Sequence, residues 1–320
     1  MTHSSELPSD PESSDDVQGL PCVMTFNAND PSGAGGLAAD VAAMVSASCH
    51  VLPVLTAVLI GDTRNVHHHV AIDEETVEEQ ARCALEDMAV QAFKVGYAGN
   101  PENLGAIARV LSDYDGVPVI SYMPDLSWCE ESALEDYLDA CAGLLLPHTT
   151  VLVGNHSTLC RWLLPDWDEE RAPNAREVAR AASQLGPPYT LVTGLIAPDQ
   201  FIENHLATPE TVLASARYER FEASFSGAGE TLSAALCALL GAESELVDAC
   251  AEAMTYLDRS LGAGFRPGMG RAVPDRLFWA HEAEGQAGQG PDPDSPEAKT
   301  SDADARHDLL TTLSSDATPH

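Results

Sequence analysis

From Cys22 to Leu261 short apolar runs alternate with longer helical stretches, and this alternation narrows the possible folds more than any other feature of the chain. Strands and helices in such alternation build a mostly parallel sheet with helices on both faces, a three-layer α/β sandwich. The expected parallel strands are Cys22–Phe26, Val51–Ile60, Gln91–Val95, Val117–Ser121, Thr150–Val153 and Tyr189–Val192. Val51–Ile60 is almost wholly apolar and reads as a strand buried on both faces. Helical periodicity marks Leu37–Ala47, Ile72–Met88, Asn103–Leu111, Leu134–Leu146, His156–Leu164 and Ala175–Gln184. Phe201–Leu206 and Thr211–Tyr218 read as a hairpin, and Thr231–Leu240 and Glu245–Leu261 as two closing helices. Right-handed crossovers gather the functional loops at the carboxyl ends of the strands.

Two glycine-rich turns stand out within this frame. The first, Asn27-Ala28-Asn29-Asp30-Pro31-Ser32-Gly33-Ala34-Gly35-Gly36, links a strand to a helix. It matches neither the dinucleotide fingerprint nor the P-loop, so alone it is equally a plain strand–helix turn. The second, Gly227-Ala228-Gly229, runs directly into the apolar segment that begins at Glu230-Thr231-Leu232. Small residues let backbone N–H groups face a ligand, and the positive end of the helix behind them points the same way. The pair forms an anion site. Glu230 places a carboxylate at its mouth. It serves either as a base that takes a proton from an alcohol while the turn holds a phosphoryl group, or simply as an acid suited to the helix dipole.

The chain's 320 residues suffice for one large α/β domain. A formal net charge of −34, with lysine only at positions 94 and 299, argues against nucleic-acid and anionic-membrane partners. The same acidity suits a salt-rich cytoplasm, where screening relieves self-repulsion. Residues 1–20 and 282–320 are acidic, lack periodicity and read as disordered tails flanking a folded domain at 21–281. Eight cysteines without metal spacing, among them Cys83, Cys141 and Cys237, read as buried thiols of a reduced, cytoplasmic protein. His67-His68-His69 occupy an extended segment, alternate faces and therefore do not converge on one metal, and no metal site is expected. No apolar run reaches the ~18 residues that span a bilayer.

In order and spacing, several stretches resemble one family. They are Asp30-Pro31-Ser32-Gly33, Ala39-Asp40, Thr56-Ala57, Asp62-Thr63-Arg64, Phe93-Lys94-Val95-Gly96, Leu145-Leu146-Pro147, Asn155, Thr193-Gly194 and Gly227–Gly229 with Thr231–Ala235. The segment Ala263-Gly264-Phe265-Arg266-Pro267-Gly268-Met269-Gly270 and the closing Pro274-Asp275-Arg276 and Phe278-Trp279-Ala280 complete the set. From about residue 22 to 280 the chain resembles the hydroxymethylpyrimidine/phosphomethylpyrimidine kinases of thiamine biosynthesis, in the ribokinase-like superfamily. The resemblance implies a ribokinase-like sandwich, usually a homodimer. Such an enzyme uses ATP and Mg²⁺ to phosphorylate a pyrimidine alcohol and then its monophosphate. It implies that Gly227, Ala228 and Gly229 hold the moving phosphoryl group. Asp40 would meet the pyrimidine, with Asn29 and Gly61 on the same substrate side. Asn155, Thr193 and Gly194 would lie on the nucleotide side.

The chain also departs from that family. Glu230 stands where the pyrimidine kinases carry Cys and related sugar kinases carry Asp. Gly61 replaces a Gln that reads the pyrimidine, and Ala28-Asn29 replaces Gly-[Ser/Thr] before Asp30. The family's Asn-x-x-Glu is here Asn155-His156-Ser157-Thr158, and its Asp-Pro-Val falls on Tyr122-Met123-Pro124, with Asp125 close by. Two functions follow from the residues: a kinase with Glu230 as base, or a catalytically weakened relative that binds a pyrimidine-like ligand or a partner.

Overall fold

The structure is a computed structural model and describes residues 19–281. The expected tails at 1–20 and 282–320 lie outside the described residues, apart from Gly19 and Leu20. Among the described residues nine strands form one sheet: β1 Cys22–Asn29, β2 His50–Gly61, β3 Val66–Ala71, β4 Ala92–Val95, β5 Val119–Met123, β6 Val151–Asn155, β7 Tyr189–Ile196, β8 Phe201–Ala207 and β9 Val212–Glu219. Their spatial order is β3-β2-β1-β4-β5-β6-β7-β8-β9. The six strands from β2 to β7 in that order run parallel, while β3 pairs antiparallel with β2 and β8–β9 form the antiparallel hairpin expected from the sequence.

The helices are α1 Gly36–Ser46, α2 Glu74–Asp87, α3 Pro101–Leu111, α4 Glu131–Ala140, α5 His156–Leu163, α6 Ala175–Ser183, α7 Ala228–Gly241 and α8 Leu246–Gly262. Their ends follow ordinary capping chemistry. Asp73 accepts from the Thr76 N–H to start α2, and Asn174 with Glu177 forms a complete capping box on α6. The stretch expected as one helix over Leu134–Leu146 is instead α4, a π-turn at Cys141–Leu145 and a 3₁₀ turn at Leu146–His148. Pro147 accounts for the tightening, since its ring denies the last turn an N–H. β5 begins after Pro118 rather than at Val117 for the same reason.

The period-two alternation of the strands sorts the core into two layers. Met24, Phe26 and Phe93 face α2 and α3, and Val23 and Ala92 face α1, α7 and α8. On β4 the same alternation sends Lys94 to the α1/α7 side, where it is wholly buried. Two expectations fail here. β2 is not buried on both faces, since Ile60 is half exposed and Pro53 lies on the surface, because only the antiparallel β3 flanks it outward. Cys83 is exposed on the outer face of α2, whereas Cys141 and Cys237 are buried. Among the described residues no helix is long and apolar enough to cross a membrane.

Of the described residues, Gly19–Arg276 belong to one compact unit and Leu277–His281 to a second. The first holds the whole sheet and the site described below. Of the second, only Leu277–His281 is described, a helical turn in which the Ala280 N–H donates to the Leu277 carbonyl.

Candidate active site

The carboxyl ends of β1, β4, β5, β6 and β7 open into a cleft of about 440 Å³, as expected for a parallel sheet. Gly227, Ala228, Gly229 and Glu230 form its floor, with Asn27, Ala28, Asp30 and Gly35 of the first turn on one side. Asn155 and Thr193 stand at the other end. There a second, mostly apolar cavity of about 150 Å³ continues past Gly194, Asn204, Tyr218, Leu257 and Asp258, sharing Asn155, Thr193, Ala228 and Gly229 with the first.

Gly227 is the N-cap of α7 in the left-handed conformation, φ 83°, and offers no side-chain cap. The Ala228 and Gly229 N–H groups at the start of α7 have no intrahelical acceptor, whereas the Glu230 N–H is met by its own carboxylate. A Cβ on Gly227 would strike the Ala34 carbonyl, so the two glycine turns are packed backbone to backbone. Arg276 locks them together. Its Nε donates to Thr231 Oγ1 at 2.9 Å, Nη1 to the Gly33 carbonyl at 3.3 Å, and Nη2 to the Ala34 carbonyl. Burial pulls the Arg276 guanidinium below its usual range, opposed chiefly by Glu230.

Glu230 lies in the first turn of α7, half-buried, and accepts from its own backbone N–H. A Cβ built on Gly35 would lie 3.1 Å from its Oε1 and 3.5 Å from Asp30 Oδ2, so its carboxylate sits between the two glycine turns. Burial raises its carboxyl above the usual carboxylate range. Lys94 and Arg276 pull it down, and Asp40 pushes it up.

Asp40 is not where the resemblance puts it. It is wholly buried on α1, beneath the cleft, and does not line it. Lys94 Nζ holds its Oδ1 at 2.8 Å, and Oδ2 accepts from Thr25 Oγ1 at 2.7 Å, Asn27 Nδ2 at 3.0 Å and Lys94 Nζ at 2.9 Å. A ligand in the cleft therefore meets Asp40 only through Asn27. Asn29 is exposed at the end of β1, and Gly61 sits against Asn65 at the irregular end of the β2–β3 pairing, so neither lines the cleft. Asn27, Asp30, Asp62 and Leu59 take that wall instead.

Other lining groups carried no role in the sequence reading. Tyr122 packs so closely on Gly229 that a Cβ there would overlap its ring, and Lys94 Nζ lies 5.7 Å from the ring centroid. Burial, reinforced by Glu230, keeps its phenol protonated. Tyr97 and Trp128 form an aromatic corner with His69, their ring centroids 5.5 Å apart and crossing near edge to face. His67 and His68 point to solvent, so only His69 joins that corner. These contacts join β3 and the loops after β4 and β5, segments far apart in sequence, which is why periodicity could not find them.

With this geometry in view, known proteins are informative. A family model described as phosphomethylpyrimidine kinase matches residues 30–275. The chain belongs to the phosphomethylpyrimidine kinase family. A hydroxymethylpyrimidine/phosphomethylpyrimidine kinase of Streptomyces coelicolor is 27% identical over 261 residues, spanning 81% of this chain and 95% of that protein. The fold is that of solved kinases. An ADP complex of Bacillus subtilis pyridoxal kinase superposes with a TM-score of 0.74 at 19% identity, covering 82% of this chain and 99% of that one. Phosphomethylpyrimidine kinase from Clostridium difficile gives 0.61 at 19% identity, covering 74% and 98%. The ribokinase-like α/β sandwich expected from the residues is therefore the fold observed.

Proposed function

We propose that this protein transfers the γ-phosphoryl group of ATP to a pyrimidine hydroxymethyl group, and then to the resulting monophosphate, in thiamine biosynthesis. The observation that carries this reading is the uncapped start of α7 at Gly227–Gly229, with the Glu230 carboxylate standing over it. The nucleotide's base and ribose enter the apolar cavity past Thr193, Gly194 and Asn155, which places the phosphates over the turn. The acceptor's ring lies at the aromatic corner of Tyr97 and Trp128. In the first transfer its hydroxyl oxygen attacks the γ-phosphorus, the bond to ADP breaks, and Glu230 takes the hydroxyl proton. In the second an oxygen of the acceptor's phosphate attacks, ADP leaves again, and no hydroxyl proton has to be removed. Here positioning and electrostatics supply the catalysis. The turn's N–H groups, the α7 dipole and the protonated Tyr122 hydroxyl face the transferring oxygens.

The residues do not fit a protein-held metal ion. Among the described residues no three His, Cys, Asp or Glu side chains converge on one point. Asp125 is paired with Arg161 at 3.3 Å, and Thr158 lines a separate apolar pocket with Leu134 and Leu138. Mg²⁺ enters as MgATP, held by the nucleotide's own phosphates.

Thermal unfolding tests the nucleotide site. MgATP at 100 times its Kd adds ~2.7 kcal/mol to the native state and raises Tm accordingly. An unchanged Tm at millimolar MgATP, measured in high salt, favours the weakened relative, a reading supported by Thr158 and Tyr122 at the family's acidic positions. A phosphoryl-transfer assay over hydroxymethylpyrimidine, its phosphate and pyridoxal-like alcohols tests the acceptor. Transfer to a pyridoxal-like alcohol alone points to a kinase of another small alcohol.

We further assign the protein to a salt-rich cytoplasm as a homodimer, on its charge, its eight free thiols and the family resemblance. At 1 M NaCl the screening length falls to ~3 Å, so Tm is expected to climb with NaCl concentration. A flat or falling curve counts against the assignment.

A further inference from the structure

The cleft carries four carboxylates, yet three are already engaged. Asp30 accepts from the Ser32 N–H at 2.9 Å and the Gly35 N–H at 2.9 Å. Asp62 accepts from the Arg64 N–H at 2.7 Å and the Asn65 N–H at 3.1 Å, which holds its carboxyl below the usual range. Asp125 accepts from the Ser127 N–H and pairs with Arg161. The fourth, Glu230, is raised by burial.

The guanidiniums are placed differently. Arg64 and Arg271 both line the cleft, and among the described residues neither forms an ion pair. Arg64 donates only a 3.4 Å bond to the Met269 carbonyl. Their backbones are fixed to each other. The Arg271 N–H donates to the Thr63 carbonyl at 3.0 Å, and the Gly270 N–H to Thr63 Oγ1 at 3.2 Å. A Cβ on Gly270 would collide with Thr63, so the segment Gly268–Arg271 is seated on the β2–β3 turn. In a chain of 50 acids and 16 bases, two cleft-lining arginines that form no salt bridge among the described residues, Arg64 facing only Asp62 of its own turn, whose carboxylate is already held by backbone N–H groups, are poised for an external anion.

We propose that Arg64 and Arg271 form a second anion site, which grips the phosphate of the monophosphate acceptor, the group whose own oxygen attacks the γ-phosphorus to form the diphosphate as ADP leaves. The site thereby selects a phosphomonoester over the free alcohol for phosphoryl transfer. The inference rests on the acceptor reading given above. Arg64 lies on the turn next to β2, whose Leu59 lines the cleft, while Thr193 and Asn155 mark the far, nucleotide end. The group held is a phosphate, from acceptor or nucleotide. The observed placement favours the acceptor.

The test compares the wild type with Arg64→Ala/Arg271→Ala and with Arg64→Lys/Arg271→Lys. Calorimetry measures binding of phosphomethylpyrimidine, hydroxymethylpyrimidine and MgATP separately, and kinetics give kcat/KM for each acceptor. The alanine pair is expected to weaken phosphomethylpyrimidine binding by ~10–100-fold. The ratio of kcat/KM for the phosphorylated over the free alcohol falls by a similar factor, and the lysine pair restores part of it. An equal loss for both acceptors, or a loss confined to MgATP, overturns the proposal. If the wild type phosphorylates neither acceptor, the kinase reading fails. Calorimetry then still decides the subsite: selective weakening for the phosphorylated ligand supports it, and equal or absent binding in wild type and variant overturns it.

Discussion

Glu230→Gln is expected to lower kcat for transfer to the free alcohol by ~10²–10⁴-fold while leaving acceptor and nucleotide binding close to wild type. The two side chains have nearly the same shape, so the glutamine keeps the position between Gly35 and Asp30 but cannot take a proton. The effect therefore appears in kcat rather than KM, the signature of a group that acts in the transition state. The pH profile separates this role from a merely structural one. Burial raises the Glu230 carboxyl above the ordinary carboxylate range. A base works only when deprotonated, so activity falls as pH drops through that raised value, earlier than an ordinary carboxylate would cause. In Glu230→Gln that acid limb disappears. Equal turnover in the two proteins, measured by coupled ADP release, would remove Glu230 from the mechanism.

Lys94→Met is expected to destabilise the fold by ~3–5 kcal/mol, the cost of leaving a buried charge without its partner. For a domain of this size that corresponds to a fall in Tm of roughly 6–20 °C. Lys94 and Asp40 are both wholly buried, and Lys94 is the only cation within the polar group formed by Asp40, Thr25 and Asn27 among the described residues. Methionine fills the space of the lysine stem but strands the Asp40 carboxylate. The double variant Lys94→Met/Asp40→Leu removes both charges and is expected to recover most of the loss, because a paired and an absent charge differ far less than a paired and an orphaned one. Differential scanning calorimetry checks both. Two losses that simply add would show that the pair is not coupled.

The sequence exposed the scaffold more fully than the site. Every expected parallel strand is present, because apolar runs of strand length between helical stretches leave few other packings. The errors fall where local pattern and tertiary setting part company. Val51–Ile60 is as apolar as an interior strand, yet its place next to an antiparallel edge leaves Ile60 half exposed. The turn at Gly227–Gly229 was legible because the role proposed for it rests on backbone N–H groups and on small residues, which the sequence shows directly. Asp40 was not, since a carboxylate on a helix looks the same whether it faces a ligand or a buried lysine. Only the period of β4, which turns Lys94 toward α1, separates the two, and that requires knowing which strands are neighbours. Arg276, Tyr122 and the Tyr97–Trp128 corner depend wholly on contacts between distant segments.

The guanidinium that ties the two glycine turns together stands 243 residues after Gly33 and 242 after Ala34. On the ribosome, at ~5–20 residues per second, the first turn is made roughly 12–50 s before Arg276. Until then the Gly33 and Ala34 carbonyls lack the donor that fixes them, and the start of α7 has no wall to rest on. The two glycine turns are therefore tied to each other in one late event, when Arg276, the last residue of the first unit, reaches its seat.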